Sequence, residues 1–186
     1  AVWGQYYVVT PEKCAYIGMD AALKNYEDRF VLCDGVQKLD EELTVFSAVP
    51  GRELWSGAND TLREKVGGDY PRDTFRHEQD LLVTENGRTA LFAGCAHCGI
   101  VNILKSAEEV LGRAPDAVFA GFHLYNPSLG RSEPDGLVDA VGERLRCDKA
   151  AHYFTGHCTG KEAYERLKRK LGGRLGEMPA GAAFTV

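Results

Sequence analysis

The sequence predicts an α/β protein whose strands end together at one edge of a sheet. Three observations carry this reading. Three apolar runs close on glycine with a histidine within three residues: Leu91-Phe92-Ala93-Gly94-Cys95-Ala96-His97, Val118-Phe119-Ala120-Gly121-Phe122-His123 and Tyr153-Phe154-Thr155-Gly156-His157. A short β-branched or aromatic run closed by glycine reads as a buried strand reaching its carboxyl end. Asn86-Gly87 is a hairpin turn of the favoured kind, between strands at 80–85 and 88–93. Beyond it, strands alternate with stretches of helical length.

In chain order, Phe30-Val31-Leu32-Cys33 and Leu43-Thr44-Val45-Phe46 read as short strands separated by turn-like Asp34-Gly35. Residues 50 to 73 are rich in Gly, Asp, Arg and Pro and read as a long excursion over the sheet. After the hairpin come a helix at about 99–111, a strand at 116–120, a helix at 135–146 and a strand at 151–155. A last helix runs over about 160–171, followed by short strands near 174–178 and 182–186. Thr159-Gly160-Lys161-Glu162 is a capping-box sequence that places Thr159 as N-cap, and Gly172-Gly173 is a stop. Glu162 with Arg166, and Glu165 with Arg169, are spaced to pair on an exposed face.

Composition narrows the function classes. The chain has 186 residues, 44% of them hydrophobic, and 22 basic against 27 acidic residues. A net charge of −5 argues against nucleic-acid binding by bulk electrostatics. Lys168-Arg169-Lys170 reads as a solvated helix end, where cations are favoured. No run approaches the ~18 apolar residues of a membrane span. The six cysteines, at 14, 33, 95, 98, 147 and 158, read as reduced thiols of a cytoplasmic protein.

In open α/β sheets ligands bind beyond the carboxyl ends of strands. Histidine is the commonest metal ligand and titrates nearest neutrality. His97, His123 and His157, three of the five histidines, therefore point to a metal or acid/base site. His123 opens a loop with Tyr125, Asn126 and Ser128, which could meet a substrate. His77 and Glu78 feed the strand at 80 and could lie near the site, while His152 reads as a strand residue. Cys95 and Cys98 form a C-x-x-C before a helix, which leaves open a thiol-disulfide oxidoreductase. Those two thiols also fit as packing residues.

At these residues the chain resembles the metallo-β-lactamase superfamily. The resemblance lies in Asp73-x-Phe75-x-His77-Glu78-Gln79, Gly94-Cys95-Ala96-His97-x-Gly99-Ile100-Val101-Asn102, Gly121-Phe122-His123-Leu124 and Gly156-His157-Cys158-Thr159-Gly160, in that order. It is closest to the branch that includes dihydropterin–ribofuranosylaminobenzene phosphate synthases, and covers about residues 15 to 186. It implies an αββα sandwich with a metal pair, usually zinc, at the sheet edge. His97 and His157 match the two downstream histidine ligands. His123 stands where the wider superfamily has a bridging Asp, so it is implied as a ligand, a catalytic group or a substrate contact.

The superfamily's His-x-His-x-Asp-His block, which supplies most of the ligands, is not in this sequence. The expectation is that residues 1–186 are a single domain of this fold without its N-terminal segment, the C-terminal portion of the sandwich. The parent activity expected is metal-dependent hydrolysis of a small, phosphate-bearing molecule. A pterin-type transferase and a catalytically incomplete binding module are the alternatives. Two or three imidazoles cannot hold two ions tightly. The isolated chain is therefore expected to bind metal weakly or not at all, and to self-associate or pair with the missing segment.

Overall fold

A computed structural model describes residues 3–150 and 152–186. In chain order the strands and helices are β1 (Tyr6–Thr10), β2 (Lys13–Tyr16), β3 (Gln37–Lys38), β4 (Leu43–Ser47), β5 (Leu62–Glu64), β6 (Gln79–Glu85), β7 (Arg88–Phe92), α1 (Ile100–Leu111), β8 (Ala117–Phe119), β9 (Tyr125–Asn126), β10 (Arg131–Ser132), α2 (Asp135–Cys147), β11 (His152–Thr155), α3 (Lys161–Leu171) and β12 (Leu175–Glu177). The main sheet has seven strands in the order β12-β11-β8-β7-β6-β4-β3. From β12 to β7 neighbours are parallel, and from β7 to β3 they are antiparallel. A three-stranded sheet, β2-β1-β5, and the ribbon β9-β10 complete the β-structure.

Register explains which face is buried. Leu82, Leu91, Val118, Tyr153 and Leu175 lie in one cross-strand row, each at most 1% exposed. Onto that row pack Ile100, Ile103, Leu104 and Ala107 of α1, spaced to share one helix face, with Val138, Val141 and Leu145 of α2 and Ala163, Leu167 and Leu171 of α3. The α1 helix ends where Gly112 turns to φ 72°, a left-handed conformation open to glycine. Its amide still bonds the Glu108 carbonyl at 2.8 Å.

The opposite row is apolar too. It runs Val45, Leu81, Phe92, Phe119, Phe154 across five strands. Phe92 stacks on Phe119 at 4.9 Å, Phe119 on Phe154 at 4.8 Å, and Phe184 lies over Phe154 at 4.4 Å between ring centroids. Phe92 stays 42% exposed. Among the described residues no second sheet of comparable size covers this face, so the layers present are a helix layer, the main sheet and a partial cover.

Several expectations need correction. Residues 30–33 form no strand, and Val31 and Leu32 are exposed; β4 pairs instead with Gln37–Lys38. Residues 182–186 are irregular, and the tail is used through Phe184. The expected strand at 151–155 is seen as β11, with Ala151 outside the described residues. Arg166 does not pair with Glu162. It bonds Asp139 and, at 2.7 Å, Asp135 of α2, because α2 and α3 pack side by side and the pair ties them together. Thr159 does not cap α3: Gly160 occupies that position without a side-chain bond.

One core residue breaks the apolar pattern. Asp80 of β6 faces the helices, is 1% exposed, and has no hydrogen-bond partner for either carboxyl oxygen among the described residues. Burial, and then the Glu78 charge, push its pKa up to about 8. The folded state thus keeps a proton that the unfolded chain releases at about pH 4. Stability from this group is present at low pH and is lost as pH rises from about 4 toward 8. Urea unfolding should show a loss of several kcal/mol between pH 5 and 8 that Asp80→Asn largely removes. Parallel pH dependence in the two proteins would show that Asp80 is charged in the fold.

Candidate metal centre

The three glycine-closed strands deliver their loops to one place. The Ala93 amide bonds the Phe119 carbonyl (2.9 Å), the Gly121 amide bonds the Gly94 carbonyl (2.8 Å) and the Ala120 amide bonds the Phe154 carbonyl (3.0 Å). Thr159 Oγ1 accepts the Phe122 amide at 2.9 Å and meets Thr155 Oγ1 at 2.6 Å. The Thr159 hydroxyl therefore laces two loops together. Gly121 sits at the junction, where a Cβ would lie 2.6 Å from Cys158 Sγ and 3.4 Å from Cys95 Cα.

His97, His123 and His157 line one cavity of about 320 Å³ with Cys95, Cys158 and His77. The His97 and His123 ring centroids are 4.1 Å apart. Both nitrogens of the buried His123 lack a hydrogen-bond partner among the described residues. An unpartnered buried imidazole is costly unless something else uses its lone pair. Burial, reinforced by the neighbouring His97, lowers the His123 pKa to about 4, so the ring is neutral and free to donate to a cation.

His97 is oriented from behind. Asn59 Oδ1 lies 3.0 Å from His97 Nδ1, and Asn59 Nδ2 donates to the His97 carbonyl at 2.9 Å. An amide oxygen only accepts, so Nδ1 carries the proton and Nε2 keeps its lone pair. Phe75 stacks flat on the ring at 4.7 Å. The Glu78 carboxylate accepts the His97 and Cys98 amides at 2.6 and 2.8 Å. Ser56 Oγ donates to the His123 carbonyl (2.6 Å) and Asn126 Nδ2 to the Ala58 carbonyl (3.0 Å). Segment 56–59 is thereby clamped to the His123 loop, and Asn59 is brought to His97.

Backbone strain is concentrated here. Phe75, Ala96, His123 and His157 have φ of 53°, 54°, 47° and 50°, in the left-handed region that side chains disfavour. Such outliers gather at functional sites.

The other expected residues divide. Ser128 lines the cavity. Asn126 does too, but its amide is engaged: Nδ2 with Ala58 and Oδ1 with the Leu129 amide at 3.1 Å. Tyr125 is not among the lining residues and packs against Gly160. His77 lines the cavity with Asp73, Nδ1 to Oδ1 3.7 Å, and its ring lies tilted against Tyr6 with centroids 4.0 Å apart. Cys98 is buried and its thiol donates to the Phe75 carbonyl at 3.6 Å. Burial raises its pKa, so Cys95 has no reactive partner there. The neighbour of Cys95 is instead Cys158, whose thiol donates to the Cys95 carbonyl at 3.5 Å. Asn59 and Cys158 were not read as site residues; no motif marks Asn59, and only its tertiary contact reveals it.

The donor set suits a divalent cation: two imidazoles, one fixed by a neighbouring amide and one buried without a partner among the described residues. Asn59→Ala should free the His97 ring and lower metal affinity about ten- to hundredfold. Calorimetric titration with Zn²⁺ of both proteins measures this, and equal affinities would remove Asn59 from the site.

No protein-family model matches the chain. It is 32% identical over 98 residues to a 7,8-dihydropterin-6-methyl-4-(β-D-ribofuranosyl)-aminobenzene-5′-phosphate synthase from Methanocaldococcus jannaschii. That match covers 46% of this chain and 31% of the relative, so the aligned part spans about a third of that protein's length. The crystal structure of a metal-dependent hydrolase of the β-lactamase superfamily superposes with a TM-score of 0.79 at 21% identity, over 99% of this chain and 68% of the other. The strand order, the helix layer and this superposition give the chain the metallo-β-lactamase fold.

Proposed function

We propose that the chain carries part of the active site of a metal-dependent hydrolase acting on a small molecule. The observation that supports this best is the convergence of His97, His123 and His157 on one cavity, with His123 buried and unpartnered. His97 through Nε2, His123 and His157 would hold the cation. A divalent ion supplies Lewis acidity and a lowered pKa for water at the site. This chain's own residues orient and exclude. Asn59 and Phe75 fix the His97 ring, and apolar Val8, Ile17 and Leu62 wall the cavity. Burial lowers the His77 pKa from its ordinary value, against the raising pull of Asp73. Beside Asp73, it can accept a proton.

A phosphate-bearing substrate is the reading that the synthase likeness favours, with a pterin-type transferase as the second reading. The described lining residues include no Lys or Arg, so a phosphate charge would have to be met by the cation. The test uses the chain loaded with Zn²⁺ or Mn²⁺ against phosphodiester, phosphomonoester and lactam probes, with chelator controls. His97→Ala should lower hydrolysis at least about a hundredfold, whereas Cys98→Ala, which removes only a core thiol, should leave it within a few-fold. Chelator-insensitive turnover, or equal loss in both variants, would refute the reading.

A further inference from the structure

We propose that Cys95, Cys158 and His157 form a thiophilic cation site that takes one zinc-class ion through two sulfurs and one imidazole, leaving a position open. The three donor atoms lie within 4.8 Å of one another. Cys95 Sγ is 3.6 Å from His157 Nδ1. A tetrahedral zinc with bonds of about 2.3 Å to sulfur and about 2.0–2.1 Å to nitrogen has an S···N edge of about 3.6 Å. The Cys95–His157 edge is thus already the right length, and the third donor, Cys158 Sγ, lies within 4.8 Å of both.

The fold prepares this group. Cys158 Sγ occupies the space that Gly121 leaves empty, where a Cβ would stand 2.6 Å away. The thiol is thereby kept turned toward the Cys95 carbonyl. Cys158 is buried, Cys95 half-buried and His157 exposed, so the group is closed on the protein side and open on the other. Any sulfur still protonated gives its proton to solvent as it takes the ion. Soft sulfur donors select zinc-class ions over magnesium or calcium.

The site shares His157 with the histidine group but does not depend on that group's catalysing anything. Counting imidazoles alone gave too few donors for tight binding; two sulfurs change that count.

Cobalt(II) titration of the reduced chain tests the proposal. A sulfur-to-cobalt charge-transfer band in the near ultraviolet should grow to one equivalent and vanish on adding Zn²⁺. Cys95→Ser and Cys158→Ser should each weaken binding about ten- to hundredfold and diminish the band; Cys147→Ser, at an exposed cysteine, should not. Should a serine variant fail to fold, alkylation mapping of the unaltered chain decides: Zn²⁺ should shield Cys95 and Cys158 but not Cys14 or Cys147. Cobalt bound with only weak visible bands means that imidazoles alone hold it, and this overturns the proposal. So does the absence of binding. A full band without chelator-sensitive hydrolysis would leave this site standing and sink the hydrolase reading instead.

Discussion

The close approach of three strand ends at Gly121 is the constraint on which the site depends. With no side chain at that position, the Gly94 and Gly121 backbones bond directly and the Cys158 thiol packs against Gly121. Overpacking of this kind commonly costs about 1–3 kcal/mol. Here it would also push apart loops whose side chains must meet. The Thr155–Thr159–Phe122 bonds close the same junction from the other side. Backbone contact brings the three loops together, and contacts such as those of Asn59 and Phe75 with His97 then set how the imidazole stands.

That arrangement accounts for what the sequence reveals and what it does not. From residue 79 onward the elements follow local rules, with alternation in β6 and β7, a turn at Asn86-Gly87 and apolar helix stripes. The glycine-then-histidine echo marked the strand ends for the same reason. The first 75 residues obey no such period. Their strands β1, β2 and β5 are short and mostly half-exposed, and although β1 and β2 form a local hairpin, β1 also pairs with the distant β5, so pattern reading failed there. A strand was expected where Val31 and Leu32 lie open to solvent.

Site residues divide along the same line. A motif can mark His97; it cannot mark Asn59, which reaches that ring from 38 positions away. Thr159 was legible as a helix-start residue, but its hydroxyl found a stronger use in joining two loops. Asn126 looked free to meet a ligand, and its amide proved to be a strut for segment 56–59. In each case a tertiary hydrogen bond overrode a locally sensible role. Glu78 shows the reverse: an acid that the sequence allows near the site does lie there, as the acceptor for two amides of the His97 turn.

The left-handed backbone at His123 and His157 has an evolutionary consequence. Glycine at either position would relax the main chain, and at 123 it would also remove a buried ring with no hydrogen-bond partner among the described residues. Selection for thermal robustness alone would therefore drift toward erasing the imidazoles, and a consensus-stabilised version of this chain would be expected to lose its cation chemistry before its fold. That such residues stand at both positions sets the site against the scaffold's own interest, the usual form of a stability–activity trade-off. Directed stabilisation of this chain should accordingly begin on the far sheet face, around Phe92, and leave the strand-end loops alone.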